Sequence, residues 1–127
     1  MPGKNLYEYA VIRLVPRVER EEFLNVGIIL FSKGAKFLNC KHQIDVEKLK
    51  LFSCELEVGE IENNLKAFGK ICSGLKDGGP VAQWEKADRF RWLTAQRSSS
   101  LQTSRPHNGF SDDLDATLER LFSELVL

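Results

Sequence analysis

Residues 7–31 read YEYAVIRLVPRVEREEFLNVGIILF, two apolar segments separated by a short charged one. The first, Tyr7 to Val15, is rich in aromatic and β-branched residues, which favour a partly buried strand. Pro16 ends this strand because proline has no N–H to donate to a neighbouring strand. The second segment, Val26 to Phe31, is apolar on both faces, as is typical of a central strand. Gly27 inside it indicates a bulge or the close approach of another backbone or a ligand.

Side-chain alternation divides the first strand into two faces. One face carries Tyr7, Tyr9, Val11, Arg13 and Val15, and the other carries Glu8, Ala10, Ile12 and Leu14. After the second strand, Lys33 and Gly34 turn the chain into a third, alternating strand over 36–42. The three strands are predicted to form an antiparallel meander over about 7–42.

The middle of the chain, about 45–94, has the pattern of helices. Asp45 is placed to cap a short helix that ends near Phe52. A longer helix has core-facing residues at helical spacing, namely Ile61, Leu65, Phe68, Cys72 and Leu75, and the Gly-Gly-Pro sequence at 78–80 breaks it. A third helix near 81–94 is predicted to turn Trp84 and Phe90 inward and to leave Arg89 nearer its edge.

The last part of the chain is predicted to hold one short strand and one helix. A polar segment begins at Ser98 and runs through Asn108, and within it 101–104 is a candidate fourth strand. Ser111 is placed to cap a C-terminal helix over about 112–126. The sequence therefore predicts a single α+β domain, residues 1–127, in which an antiparallel sheet of three or four strands has amphipathic helices packed mainly on one face.

Composition narrows the range of functions. Lys plus Arg and Asp plus Glu both number 18, so the formal net charge is zero and no global field attracts nucleic acid or an anionic membrane. No apolar run approaches the roughly 18–20 residues that span a bilayer, and the N-terminus lacks a signal-peptide pattern, so we expect a cytoplasmic protein without membrane contact. The three cysteines are far apart and form no CxxC pair, which argues against a disulfide framework or a zinc site.

The charged connection between the first two strands is a candidate site. It contains Arg20, Glu21 and Glu22, and it lies between Arg13 and Asn25. Burial of the Arg13 stem would leave its charged head in need of a partner, either a nearby glutamate or a bound anion. The alternative is structural: the charges form salt bridges that fix the turn, and Asn25 bonds to its own backbone.

A second candidate lies in the serine-rich segment. Arg97, Ser98 and Ser99, followed by Gln102, combine a guanidinium with hydroxyl and amide groups that can surround an oxyanion. An ordinary capped loop has the same composition. Together the two segments predict a ligand- or partner-binding site made by Arg13, Arg20, Glu21, Asn25, Arg97, Ser98, Ser99 and Gln102.

Signatures of catalysis or of nucleic-acid binding are few. Cys40 and His42 share a strand face, but no further ligands accompany them, so no metal and no cofactor are predicted. The sequence has no Walker loop, GxGxxG, zinc-finger spacing or HExxH. The segment with Trp84, Phe90 and Trp92 among basic residues such as Arg89 and Arg91 resembles a nucleic-acid surface, although such aromatic residues more often belong to a core.

Two blocks of sequence carry a resemblance to a known family. They are YEYAVIRLVP at 7–16 and REEFLNVGIILF at 20–31, with weaker support from WLTAQRSS at 92–99. On these residues the chain resembles the small bacterial family of domain of unknown function number 3037, over nearly its whole length. The resemblance implies no assigned activity. It implies a companion role beside kinase-like proteins of the toxin-kinase type.

The sequence thus favours a non-enzymatic binding or accessory module that holds a small anionic ligand or a protein partner. One alternative is a small enzyme of phosphoryl- or acyl-transfer type, with Glu21 or Glu22 as acid or base and arginines that stabilise negative charge. A nucleic-acid-binding module is a further, less favoured alternative. The sequence does not determine the oligomeric state.

Overall fold

The computed structural model describes residues 4–15, 23–52, 58–95 and 100–127. Within these ranges it contains five strands and four α-helices. In chain order they are β1 (Asn5–Leu14), β2 (Leu24–Ser32), β3 (Phe37–His42), α1 (Val46–Phe52), α2 (Val58–Ser73), α3 (Lys86–Leu93), β4 (Leu101–Thr103), β5 (His107–Ser111) and α4 (Leu114–Leu125). The predicted α+β class is confirmed. None of the helices in this part of the chain is both long enough and apolar enough to cross a membrane.

All strand pairs in the sheet are antiparallel. β3, β2 and β1 form the predicted meander in that order. Along the other edge of β1, β4 pairs with residues 12–14 and β5 pairs with residues 5–9, so β4 and β5 lie end to end. The short strand predicted near 101–104 is therefore confirmed as β4. β5 was not predicted; it begins at His107, within the last two residues of the segment described as polar.

The sheet has a core on each face. Ala10, Ile12 and Leu14 pack with the buried side chains of α1, α2 and α3, whereas Tyr7 and Val11 pack with those of α4. These two clusters confirm the alternation predicted for the first strand. Three of the four described helices cover one face, and α4 covers the other.

Gly27 is required by the close approach of β3. A Cβ atom at this position would lie 2.7 Å from the carbonyl oxygen of Lys41 and 2.9 Å from the Cβ of His42. No side chain larger than hydrogen fits without a shift of the backbone. The close backbone approach predicted for this glycine is confirmed.

The connection from α2 to α3 differs from its prediction. α2 ends at Ser73, and Gly74, with φ of 69°, follows it in the left-handed region that favours glycine. The helix thus ends before the predicted break at 78–80, and Leu75 is 46% exposed instead of buried in the core. Two 3₁₀ turns, Lys76–Gly78 and Val81–Gln83, then lead to α3.

The orientation predicted for the third helix is wrong at two positions. α3 begins only at Lys86, so Trp84 lies outside it and is 47% exposed. Arg89 is buried, and its guanidinium donates a hydrogen bond of 3.3 Å to the carbonyl oxygen of Ala82. Phe90 is fully buried as predicted.

Both predicted helix caps can be compared with the structure. The Asp45 carboxylate accepts a hydrogen bond of 3.1 Å from the backbone N–H of Lys48, which confirms the cap of α1. At α4 the capping residue is Asp113, whose carboxylate accepts from the N–H of Ala116 at 3.1 Å. The prediction of Ser111 was wrong because Ser111 still belongs to β5, where its hydroxyl contacts that of Thr117.

Candidate ligand-binding site

A β-bulge places Asn25 directly opposite Arg13. Ile12 pairs with Gly27, but the next residue, Arg13, pairs with Asn25, so Val26 is the extra residue of the bulge. Val26 packs in the core beneath α1, α2 and α3. The bulge therefore reverses the alternation of β2 and brings the Asn25 side chain to the α4 face, which Arg13 also occupies.

Arg13 is held by an aromatic contact. Its guanidinium carbon lies 4.1 Å from the centroid of the Phe23 ring, a cation–π arrangement that contributes about 0.5–2 kcal/mol. The side chain is half-buried. Its Nε atom is shielded from solvent and has no hydrogen-bond partner in the described ranges. Arg13 therefore combines an aromatic contact with a donor that has no partner among the described residues.

Asn25 connects the site to the end of α4. Its Nδ2 donates a hydrogen bond of 2.9 Å to the carbonyl oxygen of Leu125. This bond fixes the orientation of the amide, because only the NH₂ group can donate to a carbonyl. The other amide atom, Oδ1, is buried and has no partner within the part of the chain that is described. The paired residues Arg13 and Asn25 thus carry a donor, Nε, and an acceptor, Oδ1, that both lack a partner among the described residues.

Gln102 completes a row across three strands. Arg13 pairs with Asn25 of β2 on one side and with Gln102 of β4 on the other. Two residues beyond Arg13, the backbone N–H of Val15 donates to the carbonyl oxygen of Ser100 at 2.7 Å. Three of the residues predicted for the site are therefore neighbours in the sheet, although Asn25 and Gln102 are far apart in sequence.

The other predicted site residues lie outside the described residues. They are Arg20, Glu21 and Glu22 in one segment and Arg97, Ser98 and Ser99 in the other. The segment at 16–22 follows Val15, and the segment at 96–99 precedes Ser100. Val15 and Ser100, the described residues next to these two segments, are hydrogen-bonded to each other.

Two parts of this site were not predicted from the sequence. Among the described residues, the Phe23 ring is a contact of the Arg13 guanidinium that the sequence did not predict. The carbonyl of Leu125 is the partner of Asn25, where a bond to its own backbone was the alternative considered. Phe23, an aromatic residue just before the second strand, was an available signal for the contact with Arg13. The local sequence pattern contains no signal for the bond between Asn25 and Leu125.

Comparison with known proteins identifies the family. A family model described as protein of unknown function (DUF3037) matches residues 9–126. The chain belongs to the DUF3037 family. No curated protein and no solved structure matches it significantly. Arg13, Asn25 and Gln102 all lie inside the matched range.

A recess of this DUF3037 domain, separate from the row of Asn25, Arg13 and Gln102, is lined by Cys40 and His42. Its volume is about 670 Å³, and it lies between β3 and α2. A hydrogen bond between the thiols of Cys40 and Cys72 lowers the pKa of Cys40 and raises the pKa of Cys72. Burial raises the pKa of Cys72 further. Burial lowers the pKa of His42. Cys40 and Cys72 are both free cysteines, and among the described residues no three His, Cys, Asp or Glu side chains are grouped as a metal site.

The basic segment of the DUF3037 domain around α3 makes internal contacts. Arg91 forms a bidentate salt bridge with Glu8, with distances of 2.9 and 2.7 Å, which raises the pKa of the guanidinium. Lys86 donates through Nζ to the carbonyl oxygen of Lys36 at 2.8 Å. Arg89 and Phe90 are buried. The aromatic and basic residues considered for nucleic-acid binding are in large part engaged within the fold.

Proposed function

We propose that this protein is a binding module that recognises an acidic segment of a partner protein at the row of Asn25, Arg13 and Gln102. One observation carries the proposal: Arg13 Nε and Asn25 Oδ1, on directly paired residues, are both buried and both lack a partner in the described ranges. Buried polar atoms in folded proteins are nearly always hydrogen-bonded, so unpaired ones at one place point to a function.

The two unpaired atoms define the chemistry of the ligand. Leaving a buried donor or acceptor unpaired costs about 1–3 kcal/mol, and a charged group costs more. A ligand that supplies an acceptor to Arg13 and a donor to Asn25 removes both costs, after a change of side-chain rotamer that brings these shielded atoms to the surface. An acidic peptide segment has this combination, because its side-chain carboxylate accepts and its backbone N–H donates. A simple anion matches Arg13 better than it matches Asn25.

We propose a source for the acidic segment on the basis of the family resemblance. A kinase-like protein is the companion that the resemblance implies, and an acidic segment of such a protein is the ligand that we propose. The predicted residues Arg20, Arg97, Ser98 and Ser99 belong to the two segments next in sequence to Val15 and Ser100, which are hydrogen-bonded near the row, so we propose them as further contacts. Glu21 and Glu22, on which the alternative of an enzyme rests, lie outside the described residues.

The test measures the binding of a short blocked peptide rich in Asp and Glu by isothermal titration calorimetry. We expect Arg13→Ala to weaken binding by at least about tenfold, because a charge-assisted hydrogen bond contributes about 1.5–3 kcal/mol. Arg13→Lys keeps the charge but lacks the guanidinium fork, so we expect it to weaken binding as well. Arg120→Ala is the matched control, since Arg120 is an exposed residue that pairs only with Glu124 among the described residues.

Two results would contradict the proposal. The first is equal affinity of the wild type and both Arg13 variants for the peptide, with folding verified by circular dichroism. The second is binding of inorganic phosphate as tight as that of the peptide, because charge alone would then account for recognition and Asn25 would have no role.

A further inference from the structure

The outer edge of β5 has no partner strand in the described structure. β5 pairs with β1 on one side, and the sheet ends there. This edge is separate from the row of Asn25, Arg13 and Gln102, so an interaction made by the β5 edge does not depend on the proposed function.

The backbone groups that face this edge can be identified from the neighbouring pairs. Val11 accepts from the N–H of Ser104, and Val15 donates to Ser100, so odd-numbered residues of β1 direct their backbone groups toward the β4 and β5 side. Tyr7, which is also odd-numbered, therefore forms the hydrogen-bonded pair with Gly109. The backbone N–H and C=O groups of Asn108 and Phe110 consequently point outward, away from β1.

This edge lacks the features that normally protect an edge strand. Proteins block exposed edges with lysine, proline, bulges or a covering element. The sequence of β5 is HNGFS, with no charged residue other than a histidine, whereas β3 at the opposite edge contains Lys41. Phe110 is 67% exposed, and Leu6, its pairing partner in β1, is 55% exposed. An unprotected edge beside an exposed apolar pair is typical of an interaction surface.

The charges around β5 indicate which partner fits. Arg105 precedes the strand and Asp112 and Asp113 follow it, and all three are exposed. A second copy of this chain that pairs antiparallel through β5 places the basic end of each copy beside the acidic end of the other. The edge is thus complementary to itself both in charge and in hydrogen bonding, as a two-fold symmetric interface requires.

We infer that the protein forms a homodimer in which the β5 strands of two copies pair antiparallel and join the two sheets. The register centred on Gly109 places Asn108 of each copy opposite Phe110 of the other, so every outward backbone group gains a partner. Gly109 carries no side chain into the centre, and the Tyr7 ring fills the space where its side chain would lie. The exposed Phe110 and Leu6 side chains of the two copies then lie on one continuous face.

The test is sedimentation equilibrium of the full chain over a range of concentrations. Because the interface is small, we expect a dissociation constant on the order of 10–100 µM. The mass should therefore rise from 14.5 kDa toward twice that value with increasing concentration. Phe110→Lys introduces the charge that normally protects edges, so we expect this variant to remain monomeric. Leu127→Lys is the matched control, since Leu127 is 71% exposed and lies outside β5.

Amide hydrogen exchange gives a second readout that does not depend on a variant's folding. In the wild type, exchange at Asn108 and Phe110 should slow as the concentration rises, while Gly109, already bonded to β1, should be protected throughout. A wild type that stays monomeric to about 1 mM, far above that dissociation constant, would overturn the inference. A folded Phe110→Lys variant that dimerises like the wild type, or exchange at Asn108 and Phe110 that is independent of concentration, would do so too.

Discussion

Single residues at the centre of the sheet show what the sequence could predict. Gly27 was predicted to allow a close approach, and the structure identifies the approaching group as the Lys41 backbone. Burial of the Arg13 stem and its need for a partner followed from alternation alone. The identity of that partner could not be predicted, because Phe23 lies beyond the charged connection in sequence and contacts Arg13 only through the pairing of β1 with β2. Local patterns determine which side chains face inward, but not which long-range contacts they make.

Replacement of Gly27 by alanine should destabilise the protein. The new methyl group would lie 2.7 Å from the Lys41 carbonyl oxygen and 3.0 Å from Ile12 Cδ1, so the backbone must shift. Overpacking of this kind costs about 1–3 kcal/mol in the free energy of unfolding, which urea denaturation measures. Gly59→Ala is the control: apart from its own turn of α2, no described atom lies within 4 Å of a Cβ added there, and alanine is the better helix former. Equal stability of Gly27→Ala and the wild type would refute the packing argument.

At the scale of elements, the sequence predicted the long and strongly patterned segments and missed those that depend on pairing. β5 contains His107, Asn108 and Gly109, which have little strand propensity, and it is a strand because β1 offers it an edge. Trp84 was predicted to face inward from the third helix. α3 begins only at Lys86, so a helical pattern does not apply to Trp84. Arg89 was misplaced for a different reason, because the group that accepts from its guanidinium, the carbonyl of Ala82, lies outside α3.

The start of α4 depends on the Asp113 cap. Asp113→Ala removes the carboxylate that accepts from the N–H of Ala116, so we expect a loss of about 1 kcal/mol in the free energy of unfolding, measured by thermal or urea denaturation. Asp113→Asn retains an acceptor at the same position and should lose clearly less. If the two variants lost the same amount, the hydrogen bond would not be the source of the stability, and the charge of Asp113 near the helix N-terminus would account for it instead.

At the scale of the whole molecule, the geometry of the candidate site depends on packing against both faces of the sheet. The bulge at Val26 is packed from the α1, α2 and α3 side, while the Asn25 amide is fixed from the other side by the last turn of α4. Residues from β2, β1 and β4 then meet in one row. The sequence predicted Arg13, Asn25 and Gln102 as site residues because of their chemical type, but only the register of the three strands shows that they are neighbours.

The proposed pairing of Arg13 with an acidic group of a ligand can be observed at the Nε–H signal of Arg13 in a proton–nitrogen NMR spectrum. The signal is assigned by its absence in Arg13→Lys. Titration with the acidic peptide is predicted to move it downfield and to slow its exchange with water, because the unpaired Nε–H gains a carboxylate acceptor. An Nε–H signal that keeps its position and its exchange rate at saturating peptide would contradict this pairing and, with it, the proposed function.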